Sequence, residues 1–456
     1  MPGIAILGAQ FGDEGKGKIT DFYADRADVT VRFQGGANAG HTIYRNSQKF
    51  VFHLLPVGIM TAHTTNVIAC GCVVDIVTLH QEILAARQLG IQISPDNLKI
   101  SARATVVLPT YIEADVKAEN ETQNRIGTTR RGIGPAYSAK ASRDALQMAQ
   151  ITDAHSFLDT YLSLLKESPL YQDDTHAERH WHSHREALYN ASIFLTPYIT
   201  DTSLFLRDAH KFGRSIIFEG AQGALLDNDL GTYPHVTSSN TISSGVAIGA
   251  GIAPSYLNGS IGVAKAYVTR VGAGPFLTRM DEESHEIVQT QGKEFGATTG
   301  RPRLCGWLDL PALKYAVTIN DYDGIIITKV DVLDTLSEIK VCTKYKPIDA
   351  STKFFESNYP LDLTKFEPVY ETLEGWTTST RGLRSIGDLP LKLREYLAYI
   401  ERYLEVPIYG ISTGPDTSSY IERRAIFKPL PLIRRFERVS FTSDLGHCSQ
   451  FNSMET

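Results

Sequence analysis

At 456 residues the chain can bury a large core, and length alone allows about two or three domains, although a large α/β enzyme often keeps one. A net charge of −6 with neutral histidines excludes a global basic field for nucleic acid or an anionic membrane, so any anion site is local. The five cysteines are few and odd in number, which fits reduced thiols; Cys70 and Cys72 read as packing residues rather than zinc ligands. No apolar run reaches membrane-spanning length and a strand begins almost at the N-terminus, so a cytoplasmic protein is expected.

Ile4-Ala5-Ile6-Leu7 reads as a strand that runs into Gly8-Ala9-Gln10-Phe11-Gly12-Asp13-Glu14-Gly15-Lys16-Gly17-Lys18, and Ile19 to Ala24 suits a helix. Strand, glycine-rich loop and helix N-terminus in that order make a phosphate cradle: glycines let backbone N–H groups converge on an anion, and Lys16 adds a point charge. The loop departs from the ordinary P-loop, because seven residues separate Gly8 from Lys16 and Gly17 stands where a magnesium-binding Ser or Thr is usual. Asp13 therefore has two readings, a metal or acid–base carboxylate or a helix-capping Asp. The alternating run Val29-Thr30-Val31-Arg32-Phe33 delivers a second glycine loop, Gln34-Gly35-Gly36-Ala37-Asn38-Ala39-Gly40-His41-Thr42. Two such loops fit neighbouring carboxyl ends of one sheet.

Together the stretches GDEGKGK and QGGANAGHT resemble the adenylosuccinate synthetase family, enzymes that use GTP to join IMP to aspartate. The resemblance implies that Asp13 is the general base and His41 its acid or electrostatic partner, that Lys16 stabilises the moving phosphoryl group, and that Asp13 and the Gly40 carbonyl hold Mg2+. It implies that Gly12, Asp13, Glu14, Gly15, Lys16, Gly17, Lys18, Gly40, His41 and Thr42 serve GTP. Asp13, Glu14, Gly15, Lys16, Asn38, Ala39, Gly40 and His41 would also border IMP.

Phe50 to Leu55 and Val67 to Cys70 read as strands and Leu79 to Gln88 as an amphipathic helix; Cys70-Gly71-Cys72-Val73-Val74-Asp75 departs from the family's usual Asn-Gly-Val-Val. Arg125 to Tyr137, with Arg143 after it, mixes hydroxyls, arginines and glycines. Such a segment suits a phosphate monoester or is a solvated basic loop. The resemblance implies that Thr129 and Arg143 bind the IMP phosphate, Arg143 reaching across a homodimer, and Arg130 stands where Gly is common. Residues 150 to 210 look helical; His176, His180 and His184 recur at i, i+4 and read as a solvated face rather than a metal site.

Ser215 to Glu219 is another strand and ends in Gly220-Ala221-Gln222-Gly223. By resemblance Gln222 is catalytic and contacts IMP, as does Thr237. Ile261 to Tyr267 continues the strand pattern. Phe295 to Arg303 resembles the family's mobile aspartate loop, implying aspartate contacts from Ala297, Thr298, Thr299, Gly300, Arg301, Pro302 and Arg303, with Arg301 near IMP and Arg303 near GTP; Leu304 replaces a common Arg. Hydroxyls and guanidinium forks suit a dicarboxylate. Gly324 to Ile327 delivers Thr328-Lys329-Val330-Asp331, close to a guanine-reading signature: an Asp carboxylate accepts from guanine N1–H and its amine, an edge adenine lacks. Lys329, Val330 and Asp331, with Ser412, Thr413 and Gly414 after the strand Pro407 to Ile411, are the implied guanine site.

The expected fold is α/β, a large, mostly parallel central sheet with a P-loop-like GTP site and helical insertions. One catalytic domain over 1–426 and an extension over 427–456, basic and then polar, are expected. IMP, L-aspartate and GTP are the implied partners. A viral-type relative acting on dGMP is an alternative that Asp13 argues against, since that branch carries a smaller residue there; a catalytically silent GTP-binding regulator is the other.

Overall fold

The computed structural model describes residues 3–427 apart from 124, 169, 172–173, 297–299 and 350–358. Among the described residues ten strands form the central sheet: β1 (Gly3–Gly8), β2 (Val29–Arg32), β3 (Thr65–Ile68), β4 (Leu98–Ser101), β5 (Ile199–Thr200), β6 (Ile216–Glu219), β7 (Leu257–Lys265), β8 (Gly324–Thr328), β9 (Ile408–Ser412) and β10 (Tyr420–Glu422). Their spatial order is β10-β9-β8-β7-β1-β6-β2-β3-β4-β5. Every pairing is parallel except β9 with β10.

The sequence dictates this arrangement locally. β1, β2, β6 and β8 are buried at every residue, as near-continuous apolar runs must be when helices cover both faces of a sheet. Ala5, Leu7, Val29, Val31 and Phe218 belong to the largest core cluster. Each such Val or Leu contributes about 1.5–3 kcal/mol, and Phe218→Ala would cost about 3–5 kcal/mol. The chain leaves β1 for β2 on one side and later returns through β7 on the other. The strand order thus reverses at β1, and a crevice opens at the carboxyl ends there.

Helix Lys16–Ala24 starts from Gly15, whose φ of 85° is left-handed and strains any residue with a Cβ. Helices Ala154–Glu167, Asp174–Leu195 and Thr202–Lys211 occupy the expected helical region. One reading of that region is corrected. His180 is not on a solvated face: it is buried, its Nε2 pairs with Tyr161 Oη at 2.8 Å, its Nδ1 lies 2.9 Å from Glu113, and its ring stacks on His184. The helical period placed the three histidines on one side, but Leu158, Tyr161 and Leu165 of the preceding helix fill the same core and cover it.

Residues Met1–Ile426 make one compact unit, and from 428 onward the extension lies outside the described residues. Among the described residues no helix is long and apolar enough to cross a membrane.

Candidate active site

Loops from the carboxyl ends of β1, β2, β6, β7, β8 and β9 enclose one cleft of about 920 Å³. Gly12, Asp13, Gly15, Lys16, Gly17 and Lys18 line it from the first loop, and Asn38, Ala39, Gly40, His41 and Thr42 from the second. Thr129, Gln222, Thr237, Arg301, Arg303, Lys329, Ser412 and Gly414 complete the expected residues found there. Ala297, Thr298 and Thr299 lie outside the described residues.

At the phosphate end the helix-capping reading of Asp13 is corrected. The N-cap is Gly15, without a side-chain cap, and Asp13 sits two residues earlier at φ 60°. Its carboxylate, about a third exposed, lies 2.9 Å from Arg303 Nε as an ion pair whose angle is too bent for a hydrogen bond. Glu14 behaves differently from its expected place beside the ligands. Its carboxylate is fully buried and accepts from the Gln10 and Gly12 N–H groups at 3.1 and 2.8 Å and from Lys16 Nζ at 2.6 Å. A carboxylate turned inward under a phosphate loop sets the loop's curve and leaves only its backbone for a ligand. Lys16 also donates to the Gln222 carbonyl. Gln222 takes φ 55°, and its Oε1 is buried without a hydrogen-bond partner among the described residues, an orphan polar atom at the cleft that a ligand N–H would satisfy.

His41 is held from below. Its Nδ1 pairs with Glu219 Oε1, and Glu219 Oε2 accepts from the Val57 N–H at 2.9 Å. Burial pushes the His41 imidazole down, Arg32 and Lys16 add to that, and Glu219 opposes it. Burial alone would raise the Glu219 carboxyl, but His41 and Arg32 hold it below its ordinary value. The two directions agree on one state, a neutral imidazole donating Nδ1–H to a carboxylate, which leaves Nε2 for the cleft. Gly17 belongs to the same packing, since a Cβ there would sit 3.1 Å from His41 Cβ.

At the other end Lys18 Nζ donates to Ser412 Oγ, the Gly414 carbonyl and the Ser419 carbonyl at 2.7, 2.6 and 2.8 Å. Burial pulls this ammonium down to about 7, against Asp331 and Asp416. Lys329, at φ 59°, donates to the Gly292 carbonyl at 2.9 Å and to Glu294 at 2.5 Å. Several expected contacts stand back from the lining. Val330 is buried; Asp331 is half-buried at the start of a 3₁₀ turn, its carboxyl raised by burial and then by Asp334; and Thr413 is buried, its hydroxyl donating to the Leu383 carbonyl at 2.8 Å.

On the third side Arg301 Nη2 donates to the Gly127 and Thr128 carbonyls at 3.1 and 3.0 Å. The same segment is held by two acidic residues that also line the cleft, its Gly127 and Gly132 N–H groups donating to Glu119 at 2.8 Å and Asp115 at 3.0 Å. Gly300 and Pro302 are outside the lining. Arg130 takes φ 57°, keeping the backbone that Gly would supply. Arg143 caps the helix Ile133–Ser142 at φ 73°, is exposed, and does not reach this chain's cleft. Sequence reasoning missed Glu219, Glu294, Asp115 and Glu119. The available signal was a Glu closing the apolar run Ile216-Ile217-Phe218, because a carboxylate so placed is buried and must have a partner.

A sequence model described as "Adenylosuccinate synthetase" matches residues 5–421. The chain belongs to that family. A curated adenylosuccinate synthetase of Aquifex aeolicus is 43% identical, covering 94% of this chain and 99% of the relative. One from Brevibacillus brevis is 42% identical over 94% of this chain and the relative's whole length. Among solved structures, the fully ligated adenylosuccinate synthetase of Plasmodium falciparum has a TM-score of 0.86 at 37% identity, covering 93% of this chain and all of that one. The cyanophage S-2L succinoaminodeoxyadenylate synthetase bound to dGMP and dATP has a TM-score of 0.59 at 18% identity over 92% of this chain and 95% of that one, a likeness of fold alone. Adenylosuccinate synthetases are GTP-dependent ligases of purine biosynthesis that form a C–N bond between IMP and aspartate.

Proposed function

We propose that residues 1–426 form a single catalytic domain, cytoplasmic in location, whose cleft condenses IMP with L-aspartate at the expense of GTP. The observation that carries this reading is the convergence of Asp13, Lys16, His41 and Gln222 on one cleft with Arg303 and Lys329. The C6 oxygen of IMP is a poor nucleophile and a poor leaving group, so it must be activated. Asp13 takes the N1 proton; negative charge builds on O6, which attacks the γ-phosphorus of GTP and releases GDP. His41, oriented by Glu219, and Lys16 meet the charge on the moving phosphoryl group. The orphan Oε1 of Gln222 is an acceptor for a ligand N–H. The aspartate amine then attacks C6, and phosphate leaves.

The donor set fits Mg2+: the Asp13 carboxylate is accessible in the cleft, the Gly40 backbone borders it, and phosphate oxygens would supply the remaining hard ligands. Bound there, the ion would neutralise charge on the γ-phosphoryl group. Arg301 and Arg303 supply guanidinium forks for aspartate, and Thr129 and Thr237 supply hydroxyls for the IMP phosphate. Arg143, exposed and outside its own cleft, is read as serving a partner's IMP phosphate in a homodimer.

A continuous ultraviolet assay with IMP, GTP, Mg2+ and aspartate tests the reading, with ATP as the control nucleotide. Product with GTP and not with ATP is expected. Product with dGMP and not IMP would support the viral-type alternative, and GTP binding without product would support a regulatory protein.

A further inference from the structure

Glu294 lies beneath the cleft floor, fully buried and outside the lining, yet the substrate-facing cations on two sides of the cleft end on it. It follows the helix Glu282–Gly292, after Lys293 turns the chain at φ 48°. Oε1 accepts from Lys329 Nζ at 2.5 Å, and Oε2 accepts from Arg303 Nη1 at 2.6 Å. Lys265, at the end of β7, lies 3.1 Å from both oxygens, and Tyr267 Oη donates to Oε1. Each carboxylate oxygen is thus assigned to a different end of the site. Arg303 carries the chain of charge onward, since its Nε lies 2.9 Å from Asp13.

Three cations around one carboxylate are more than neutralisation needs, and Lys265 alone would pair it. Burial has already drawn Lys265 down to about 8, with Glu294 opposing. Replacing buried ion pairs with apolar residues of like volume is often neutral or stabilising, so stability is a weak reason for gathering three cations on one buried carboxylate. What the arrangement fixes is the separation of Lys329 from Arg303. We propose that Glu294 is a positioning residue that sets the guanine-side Lys329 and the aspartate-side Arg303 together, so that the nucleotide and the amino-acid substrate are held by one shared carboxylate while the Thr129 and Thr237 segments that serve IMP are not. This rests on the reading of the cleft given above. Of the residues assigned to IMP, Asp13 meets Arg303, but the segments of Thr129 and Thr237 are fastened elsewhere, at Glu119, Asp115 and the Leu226 carbonyl, to which the Thr237 N–H donates.

The test is steady-state kinetics of the full-length enzyme, varying each substrate in turn, for wild type, Glu294→Gln and Glu294→Asp. Glu294→Gln removes the charge; Glu294→Asp keeps it but is too short to span both cations. In Glu294→Gln the KM values for GTP and aspartate should both rise about tenfold or more and kcat should fall, while KM for IMP stays within about twofold. If Glu294→Gln does not fold, Glu294→Asp carries the test, with GTP and aspartate KM values raised severalfold together. Wild-type KM values for GTP and aspartate in whichever variant folds, or a rise shared equally by IMP, would overturn the inference. A wild-type enzyme that makes no product overturns the functional reading itself, a result distinct from either.

Discussion

The two ends of the cleft hold their charges differently. At the phosphate end each cation or imidazole meets a carboxylate: Lys16 meets Glu14, Arg303 meets Asp13, and His41 meets Glu219. At the far end Lys329 also meets a carboxylate, Glu294, but Lys18, two residues along the same helix from Lys16, is met by two carbonyls and a hydroxyl. Paired charges pre-organise a region for a reaction in which charge moves. Neutral acceptors around a buried ammonium instead make the local fold depend on that group's protonation.

The largest effect expected from breaking this contrast is at Asp13. Asp13→Ala should lower kcat by about 10³–10⁴-fold, with nucleotide binding by calorimetry largely kept. His41→Asn should follow at about 10³-fold; near-normal turnover in either variant would remove that residue from the mechanism. Glu219→Gln leaves the imidazole in place but weakens its anchor, so a loss of about 10²-fold in kcat with unchanged KM for GTP is expected from initial-rate data.

The far end should respond in binding instead. An ammonium has three donors for the three acceptors around Lys18, whereas the neutral amine has two N–H groups. With Lys18 drawn down to about 7, it is charged below that pH and neutral above it. The GTP KM should therefore rise as pH climbs through about 7, and Lys18→Met should show the raised KM, about tenfold, at every pH. A pH-independent wild-type KM would break the comparison. The smallest change is Gly17→Ala, whose methyl crowds His41 and should lower kcat about threefold to tenfold in the same assay.

Much of the fold was legible because it is local. The apolar runs at β1, β6 and β8 each ended in the loop that the structure places on the cleft, and the helix expected over Ile19 to Ala24 is there, beginning three residues earlier at Lys16. What escaped were pairings set by topology. His41 and Glu219 are 178 residues apart and meet because β6 lies beside β2; nothing in either local sequence names the other. Glu294 was invisible for the same reason, its partners coming from β7, β8 and the loop at Arg303. Glu14 and Thr413 sat inside matching motifs, yet their side chains turn inward, because a motif fixes a backbone path before it fixes what each side chain touches.

The position of β1 has a consequence for how the chain is made. It is synthesised before both of its neighbours, yet it occupies the middle of the sheet, and Gly3 pairs with Ile216 on one side and Leu257 on the other. Until those segments exist, an apolar strand waits with both edges open, the state most prone to joining a neighbouring chain. The interval between synthesis of β1 and of β7 is therefore the exposed one, and slow non-local pairing lengthens it.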